Sequence, residues 1–370
     1  MPAADDDVRA GGWTMVNTTK SRAGRATLTD VAALAGTSPS TVSRVLHGGA
    51  GVTDELTARV RQAASDLGYS VNRQARSLRR GKDTAIGVAI EDFTIPFFGR
   101  IVAEVERAAH ARGYGVVITC AGSGRSEEEA VEPLLSRSVA GLVVATGTAG
   151  APKGYLAEVA TELPVVQVDA PAASPFSDAI GIDNEAAGRQ VTEHLIARGH
   201  RRILFVGSGP AATTVQLRRQ GYEAAMREAG LDPRATWMGY LPSEVTERAV
   251  GTLADLTGSG ADGGGITAVV SGVARVTMGL ASAIARLGLR DLAYVAIDDL
   301  AGADAFATPL TVLEQDVEAI GARAAELLFA RIDGWDGPPA HELVPLHLIE
   351  RGSGELPPRA LTTSTPSQTP

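Results

Sequence analysis

Short apolar runs alternate with longer amphipathic stretches over most of this 370-residue chain, and this alternation constrains the fold more than any other feature. The apolar runs read AIGVAI, GVVITC, AGLVVA, PVVQVD, RRILFVGS, TAVVSG and LAYVAID. Buried strands that alternate with helices form parallel sheets covered on both faces. There are too many units for one sheet, so we predict a two-lobed α/β body over residues 84–355. Ligands bind such folds outside the carboxyl ends of the strands, here in a cleft between the lobes.

The segment before this body, residues 27–71, begins with the signals of two short helices. Thr27 is placed to cap the first helix, Asp30 completes a box-like arrangement with it, and Gly36 ends the helix. A Ser-Pro pair at 38–39 starts the second helix, with the hydroxyl at the cap and the proline at the first helical position. The turn of about three residues is too short for an antiparallel hairpin, so we expect the helices to cross steeply.

A third helix is predicted after these two. Thr53 caps it, Asp54 and Glu55 lie in its first turn, and Gly68 ends it. Each helix has one apolar face, and the residues expected to point inward are Leu28, Val31, Ala32 and Ala35, then Val42, Val45 and Leu46, then Leu56, Val60, Ala64 and Leu67. The segment is therefore predicted to be a three-helix domain with a small core.

The first two helices have the arrangement of a helix-turn-helix, in which the second helix lies in the major groove of DNA. Most side chains expected to face DNA bear hydroxyls, which suit phosphate oxygens, and the full set is Thr27, Ser38, Pro39, Ser40, Thr41, Ser43, Arg44 and His47. Arg44 is the leading base reader, because a guanidinium pairs bidentately with a guanine edge. Pro39 offers only an apolar contact, such as one with a thymine methyl group. The alternative is an ordinary three-helix core fragment.

Charge is distributed unevenly along the chain. The whole sequence has a net charge of −9, but residues 20–82 carry eleven Lys and Arg against four Asp and Glu. That region is therefore +7 and the remainder −16. A basic head on an acidic body is typical of a polyanion-binding module joined to a part that does not bind polyanions, although a merely solvated basic face would give the same charge.

Two stretches carry a resemblance to a known family, LTDVAALAGTSPSTVSRVLHG and VTDELTARVRQAASDLGYSVNRQARSLRRGK. They are similar to the head of the LacI/GalR family of bacterial transcription regulators, and the similarity continues through most of the chain. The resemblance implies a DNA-binding regulator, in the first instance a repressor, that binds a palindromic operator as a homodimer and responds to a small-molecule effector, a sugar or related metabolite. It also implies a periplasmic-binding-protein-like core, with crossovers near Asp183 and Leu313 and a return near His341.

In that family a segment after the third helix becomes a hinge helix on operator DNA and pushes a leucine into the minor groove. The matching segment here is 72–83, and its residues expected to touch DNA are Asn72, Arg73, Ala75, Arg76 and Leu78. Leu78 matches the leucine, and such an apolar wedge kinks DNA by unstacking a base step. Val71 stands where the family often has proline, so we expect a less rigid hinge entry. The alternative is a basic linker that never becomes helical.

The candidate effector site is predicted from strand ends and from the resemblance. Asp169 ends PVVQVD, Asp298 ends AYVAID, and Arg218 lies where the family often has an arginine three residues before a glycine; for each, the alternative is a cap or a surface ion pair. Two positions depart from the family, since Ile95-Pro96-Phe97 replaces Asn-Pro-Phe and Val273-Ala274 replaces an Asn-Asp pair. The predicted effector-binding residues are Phe97, Asp169, Arg218, Val273 and Asp298. Because polar groups are missing there, we expect either an effector less hydroxylated than a hexose, such as an anion held by Arg218, or no small effector.

Dimerisation is expected because one helix-turn-helix covers too little DNA for tight specificity. The helix FFGRIVAEVERAAHARG presents Ile101, Val102, Val105 and Ala109 on one side, either to a dimer partner or to its own sheet. Residues 1–26 and 356–370 are expected to be disordered, with translation starting at Met1 or at Met15. The C-terminal tail has no leucine heptad, so a dimer is predicted rather than a tetramer.

No constellation for an enzyme, a cofactor or a metal is evident in the sequence. GSGP and GSGADGGG match neither a dinucleotide fingerprint nor a phosphate loop, and His194 and His200 are six residues apart rather than four. With Cys120 as the single cysteine, no internal disulfide can form, which suits a reducing cytoplasm. Neither a secretory signal nor a membrane span is expected. The competing classes are a small-molecule-binding protein without operator function and an enzyme on a two-lobed fold.

Overall fold

A computed structural model shows the fold of the chain. It describes residues 26–46, 51–67, 69, 85–122, 125–146, 154–169, 176–210, 212–239, 242–257 and 265–358. The chain divides into two compact units, Met1–Gly81 and Lys82–Pro370. Each unit has its own hydrophobic core, as the charge and pattern boundary near Lys82 predicts.

The described residues of the first unit form three helices, α1 Leu28–Ala35, α2 Pro39–Leu46 and α3 Asp54–Asp66. The predicted capping is confirmed: Thr27 and Asp30 make a capping box, Gly36 ends α1 in the left-handed conformation, and the Thr53 hydroxyl accepts from the backbone N–H of Leu56. These signals are local in sequence, which is why the helix starts could be predicted to the residue.

The core of the first unit differs from the prediction at one position of α3. Leu67 is 37% exposed and stands at the C-cap, whereas Ala63 is buried. The expectation that Leu67 faces inward is therefore wrong, because the helix turns Ala63 and Ala64 toward α1 and α2. The buried set is Val31, Ala32, Ala35, Val42, Val45, Val60, Ala63 and Ala64, and Gly68 lies outside the described residues.

In the second unit, twelve strands of the described residues form two six-stranded sheets. In chain order they are β1 Ala85–Ile90, β2 Gly115–Cys120, β3 Leu142–Ala145, β4 Val165–Val168, β5 Asp178–Gly181, β6 Ile203–Gly207, β7 Arg234–Trp237, β8 Ala268–Ser271, β9 Ala293–Ile297, β10 Thr311–Gln315, β11 His341–Leu343 and β12 Leu346–Ile349. The order across the first sheet is β11-β5-β4-β3-β1-β2, and across the second β12-β10-β9-β8-β6-β7. Neighbouring strands are parallel in every pair except β10 with β12.

Helices cover both faces of each sheet, which is why central strands such as β3 and β8 are buried along their whole length. These helices are α4 Pro96–Ala111, α5 Glu127–Leu135, α6 Tyr155–Glu162, α7 Asn184–Ala197, α8 Thr213–Glu228, α9 Pro242–Thr257, α10 Ala274–Leu287 and α11 Val317–Ile332, with one 3₁₀ turn at Ala303–Ala305. The predicted architecture of two parallel α/β lobes is confirmed.

The chain passes between the lobes three times within the described residues. It leaves the first sheet after β5 near Asp183, returns after β10 where α11 packs against α4 and β4, and leaves again between β11 and β12. The crossovers expected near Asp183 and Leu313 and the return near His341 therefore correspond to the observed connections. Such connections bring the carboxyl ends of both sheets toward one cleft.

The apolar side of α4 packs within its own lobe. Ile101, Val105 and Ala109 have no exposed surface in the single chain, and a Cβ on Gly321 of α11 would lie 3.2 Å from the Ile101 Cα. Of the two roles open for this face, packing against the same lobe is the one observed, so these side chains are not available to a dimer partner. Val102 is half-buried beside them.

The C-terminal boundary of the body lies further along the chain than expected. Leu356 packs against the core, and its carbonyl accepts a hydrogen bond from His200 Nε2 at 2.9 Å. Pro358 also lies near the backbone, 3.5 Å from the position of a Cβ on Gly199. The disorder predicted from Leu356 onward is therefore wrong for Leu356–Pro358, because one apolar side chain and one carbonyl attach this segment to the second lobe.

Candidate DNA interface and effector cleft

Helix α2 presents a polar N-terminal face over a buried back. Pro39, Ser40 and Arg44 are exposed, whereas Val42 and Val45 are buried under them. This separation follows from the helical period and leaves the outer face free for a ligand.

Hydroxyl groups organise the start of α2. Ser38 Oγ lies 2.8 Å from Ser40 Oγ and 2.9 Å from Thr41 Oγ1, and it accepts from the Thr41 N–H at 3.2 Å. Thr41 and Ser43 are half-buried, less outward than predicted. The exposed amide end of the helix and its hydroxyls form a surface that suits phosphate oxygens.

Thr27 is occupied by its capping role. Its N–H and its hydroxyl both donate to Asp30 Oδ2 at 2.7 Å, and these hydrogen bonds lower the pKa of the Asp30 carboxyl. Thr27 is exposed, so a DNA contact from it stays a prediction. The other predicted DNA contacts lie outside the described residues, and they are His47, Asn72, Arg73, Ala75, Arg76 and Leu78.

All five predicted effector-site residues line one cavity between the lobes of the second unit. Asp169 follows β4 and Asp298 follows β9, Arg218 lies on α8, Phe97 on α4, and Val273 precedes α10. The cavity measures about 40 Å³, room for only a few water molecules. A larger cavity of about 740 Å³ adjoins it and shares Phe97, Arg275 and Asp298 as walls.

Arg218 is held by several partners, contrary to a free anion-binding group. It is 2% exposed; Nε donates to Asn184 Oδ1 at 2.8 Å, and Nη1 donates to the Gly272 carbonyl at 3.0 Å and to Asp298 Oδ2 at 3.2 Å. Gln315 Nε2 donates to the other Asp298 oxygen. An anionic effector on Arg218 would have to compete with Asp298.

Asp169 is the least compensated group of the cleft. Its Oδ1 is buried and has no hydrogen-bond partner among the described residues. Burial raises the pKa of its carboxyl to about 7; Arg218 opposes this shift, and Asp298 and Glu91 add to it. Gln315 Oε1 is a second buried acceptor for which the described part of the chain supplies no donor.

Arg275, which sequence reasoning missed, joins the two lobes across the cleft. It lies in the first turn of α10, and its guanidinium donates to Asp92 Oδ2 at 2.7 Å and to Glu91 Oε1 at 3.2 Å, both just after β1. Burial is the main cause that raises the pKa of Glu91; for Asp92 burial acts in the same direction, but bonds from Thr94 and Arg275 outweigh it and lower the pKa. A cation in the first turn of a helix interacts unfavourably with the helix dipole. This unusual position was the sequence signal that could have identified Arg275 as a functional residue.

His194 and His200 both have structural partners. His194 Nε2 lies 2.7 Å from Glu355 Oε1, and one ligand atom each of His194, Glu350 and Glu355 lie within 4.8 Å of one another. Arg198 Nη2 stands 3.0 Å from Glu350 Oε2 and supplies positive charge to this cluster. The cluster attaches the C-terminal segment to α7, in line with the structural roles predicted for these histidines.

No helix in the described parts of the chain has the length and apolar character that crossing a membrane requires.

Comparisons with known proteins agree with both parts of the site. The family model for bacterial regulatory proteins of the lacI family matches residues 27–72, and that for a periplasmic binding protein-like domain matches residues 192–354. The HTH-type transcriptional regulator PtxS of Pseudomonas putida is 32% identical over 342 residues, which cover 89% of this chain and 96% of the relative.

Two solved structures share the fold at 26% identity. The lac repressor dimer bound to operator and the anti-inducer ONPF has a TM-score of 0.75 and covers 90% of this chain and 99% of its own. A complex of the transcriptional regulator CelR with cellobiose has a TM-score of 0.63 and covers 89% of this chain and 100% of its own. Fold and site together thus define a DNA-binding transcription regulator with an effector-binding core. The chain belongs to the LacI family of bacterial regulatory proteins, whose members regulate transcription and are not enzymes.

Proposed function

We propose that this protein binds a palindromic operator as a homodimer and represses transcription there. Binding of an effector in the cleft lowers or raises its affinity for the operator. The observation that carries the proposal is the outer face of α2, where the hydroxyls near its start and the exposed Arg44 in its last turn lie over buried Val42 and Val45. An effector acts only through its different affinities for the operator-competent and incompetent states. A cytoplasmic location follows, since a regulator must reach its DNA.

The individual contacts are part of the same proposal. Arg44 reads a guanine edge, and the Ser38, Ser40, Thr41 and Ser43 hydroxyls contact phosphates. Residues 72–83 form a hinge helix on the operator, and Leu78 enters the minor groove. The lac repressor structure, a dimer on its operator, supports this assignment.

The effector is proposed to be a small sugar-like metabolite bound by the cleft residues Phe97, Asp169, Arg218, Val273 and Asp298. CelR, one of the solved structures that resemble this chain, binds cellobiose. Arg218 is already paired with Asp298, which argues against an anion held by Arg218.

The experiment that tests the proposal compares operator DNA with scrambled DNA. The full-length protein is titrated by fluorescence anisotropy with a palindrome from the region flanking its own gene and with a scrambled duplex, over a series of salt concentrations. We expect binding to the palindrome to be at least about 10³-fold tighter, with a steep salt slope on both duplexes. Equal affinity for both would contradict operator function and leave a small-molecule-binding protein of the same core fold.

Leu78→Ala tests the hinge. The shorter side chain cannot unstack a base step, so operator affinity and DNA bending should both decrease. Bending is measured by circular-permutation electrophoresis. Leu343→Ala is the control, because Leu343 is 64% exposed on β11 of the core unit. Unchanged bending by Leu78→Ala would argue against the wedge.

A further inference from the structure

The cleft is short of positive charge. Among the described residues, its walls carry three carboxylates and two guanidinium groups, namely Glu91, Asp169 and Asp298 against Arg218 and Arg275, and Arg275 also binds Asp92 beside them. Arg218 pairs with Asp298, and Arg275 is shared between Glu91 and Asp92. Asp169 makes no ion pair with any described residue; the charge of Arg218 lowers the pKa of its carboxyl, and the charges of Asp298 and Glu91 raise it.

The unmet hydrogen bonds of the cleft are all of one kind. Asp169 Oδ1 and Gln315 Oε1 are buried acceptors, and no described donor reaches either of them. A buried acceptor without a donor costs free energy, so such atoms require an explanation in a folded protein. Both residues line the same cavity, so one ligand that carries donors can satisfy both.

Arg275 lies between this cavity and a larger one outside it. The outer cavity measures about 740 Å³, and the two share Ile95, Phe97, Ala274, Arg275, Asp298 and Gln315 as walls. The guanidinium of Arg275 is 10% exposed and binds the two carboxylates that follow β1. It therefore neutralises part of the acidic wall, and the outer cavity has room to receive it when it is displaced.

We propose that the cleft takes a small organic effector with a protonated amine, which binds against Asp169 and Glu91 and displaces the Arg275 guanidinium from its carboxylates. The ammonium group brings both things that the walls lack, a positive charge and several hydrogen-bond donors. This inference rests on the proposed effector function of the cleft and specifies the chemical class of the effector. A neutral polyol, which brings donors without charge, is the competing class that the test must distinguish.

The test uses the full-length protein and pairs of probes that differ by one amine. The pairs are D-glucamine with sorbitol, 6-amino-6-deoxyglucose with glucose, and ethanolamine with ethylene glycol, measured by calorimetric titration and by the shift in melting temperature. We expect at least one amine to bind at least tenfold more tightly than its hydroxyl partner. Two results would overturn the proposal. One is equal or tighter binding of the neutral partners, and the other is no rise in melting temperature with any amine at about 10 mM, a concentration that detects weak ligands.

Two variants are expected to move the affinity in opposite directions. Asp169→Asn removes the uncompensated charge at nearly constant shape, and asparagine tolerates the left-handed backbone there, so amine affinity should fall at least tenfold. Arg275→Met removes the competing cation, so amine affinity should rise several-fold. Asp333→Asn at the exposed end of α11 and Arg286→Met in the exposed pair with Glu247 are the matched controls, and both should stay within twofold of wild type.

The pH dependence gives an independent readout. Burial raises the pKa of Asp169 to about 7, and Arg218, Asp298 and Glu91 are the charged groups that act on it. Its carboxylate form increases as pH rises from 6 to 8, whereas alkyl amines of the lysine type stay protonated, so amine affinity should increase over this range. Asp169→Asn should abolish the increase. Operator binding is measured separately, without effector, and a lack of operator specificity would refute the proposed function. Equal binding of the amines and their hydroxyl partners would refute only this inference.

Discussion

Two carboxylates of the cleft belong to aspartates whose unusual backbone conformation helps to position them. Asp169 and Asp298 directly follow β4 and β9, and both adopt the left-handed conformation, with φ of 53° and 77°. Asp and Asn tolerate this region better than other residues with a Cβ, so few side chains would fit there. The strand ends thus turn sharply, and both carboxylates line the cavity between the lobes.

Asp169→Asn should stabilise the protein even though it is expected to weaken effector binding. The pKa of Asp169 is raised to about 7 in the folded chain, above the unfolded value of 3.8, so the folded state keeps its proton longer. Native stability from this group is present at low pH and is lost as pH rises through the folded pKa. We expect the variant to be more stable than wild type by about 2–4 kcal/mol at pH 8, with the difference shrinking toward pH 4.

Urea unfolding at several pH values measures this difference. Asp333→Asn, an exposed carboxylate at the end of α11, should show no such pH-dependent gain. A variant at position 169 that is less stable at pH 8 than at pH 5, relative to wild type, would mean that the Asp169 carboxylate has a partner in solution.

Arg44→Ala tests the base contact. Removing a bidentate pair with guanine should cost roughly 1–3 kcal/mol of binding free energy on the operator and little on random DNA, because non-specific binding depends on phosphate contacts. Arg61 is exposed on α3, and Arg61→Ala removes the same charge without a proposed base contact. Anisotropy titrations on both duplexes give the comparison, and an equal loss on operator and random DNA would make Arg44 a phosphate contact.

At the scale of elements, the crossing of α7 and α8 determines where Arg218 stands. A Cβ on Gly188 of α7 would lie 1.8 Å from the Arg218 carbonyl oxygen, and a Cβ on Gly221 of α8 would lie 1.9 Å from the Glu185 carbonyl oxygen. The two backbones therefore touch, and no other residue type fits at either position. This close approach brings the Arg218 side chain within reach of Asn184 at the start of α7.

Gly221→Ala should separate the two helices. The new methyl group meets backbone rather than a flexible side chain, so we expect a loss of about 3 kcal/mol or more in the free energy of unfolding, at the upper end of overpacking effects. Gly251 on α9 has open space around its Cβ position, and Gly251→Ala should instead gain about 0.5–1 kcal/mol. Chemical denaturation followed by circular dichroism checks both values; a Gly221→Ala variant as stable as wild type would refute the close packing.

In the molecule as a whole, the chain crossings and the Arg275 bridge join the two lobes of the second unit. The C-terminal segment adds a further attachment, since His200 donates to the Leu356 carbonyl and its Nδ1 lies 3.0 Å from Thr267 Oγ1. His200 has no exposed surface, so the attachment lies inside the second lobe. Regulation by an effector must therefore work against the contacts that already join the two lobes.

The stability of the molecule should depend on His200 below neutral pH. Burial lowers the pKa of His200 below its ordinary value, with Arg198 and His194 acting in the same direction and the bond to Leu356 opposing it. Its contribution is complete above the unfolded pKa of 6.5 and is lost as pH falls through the folded value, because the unfolded chain takes the proton first. The stability contribution of His200 should thus fall between pH 7.5 and 5.5, whereas that of Asp169 rises over the same range.

His200→Gln removes the titrating group. We expect this variant to be about 1–3 kcal/mol less stable than wild type at pH 7.5, from the weakened buried bonds, and this difference to shrink on acidification. Urea midpoints at pH 7.5, 6.5 and 5.5 measure both effects, with exposed His110 on α4 as the site of a control His→Gln change. Parallel pH profiles of wild type and His200→Gln would show that another group is responsible.

Much of the fold could be predicted from the sequence because its signals act over a few residues. Caps at Thr27, Ser38 and Thr53 bond to backbone three residues away, and the strand runs are continuous apolar segments. Even the convergence of Asp169 and Asp298 could be predicted, since each follows a strand of its own sheet and the ligand cleft of a two-lobed fold lies outside the carboxyl ends of the strands. The partner of the apolar face of α4 and the exposure of Leu67 could not be predicted, because a helical period identifies an apolar face but not the neighbour that covers it.

The helix-turn-helix head, the α/β body and the strand ends that carry the carboxylates therefore follow from residue patterns alone, whereas the lobe crossings were expected from the family resemblance. Only the tertiary structure decided that Arg275 bridges to Glu91 and Asp92, that Arg218 is already paired, and that Asp169 has no partner among the described residues. The physical reason is range: a cap or a strand depends on neighbours in the chain, whereas the charge balance of a cleft depends on side chains about 180 residues apart that meet only when both lobes have folded.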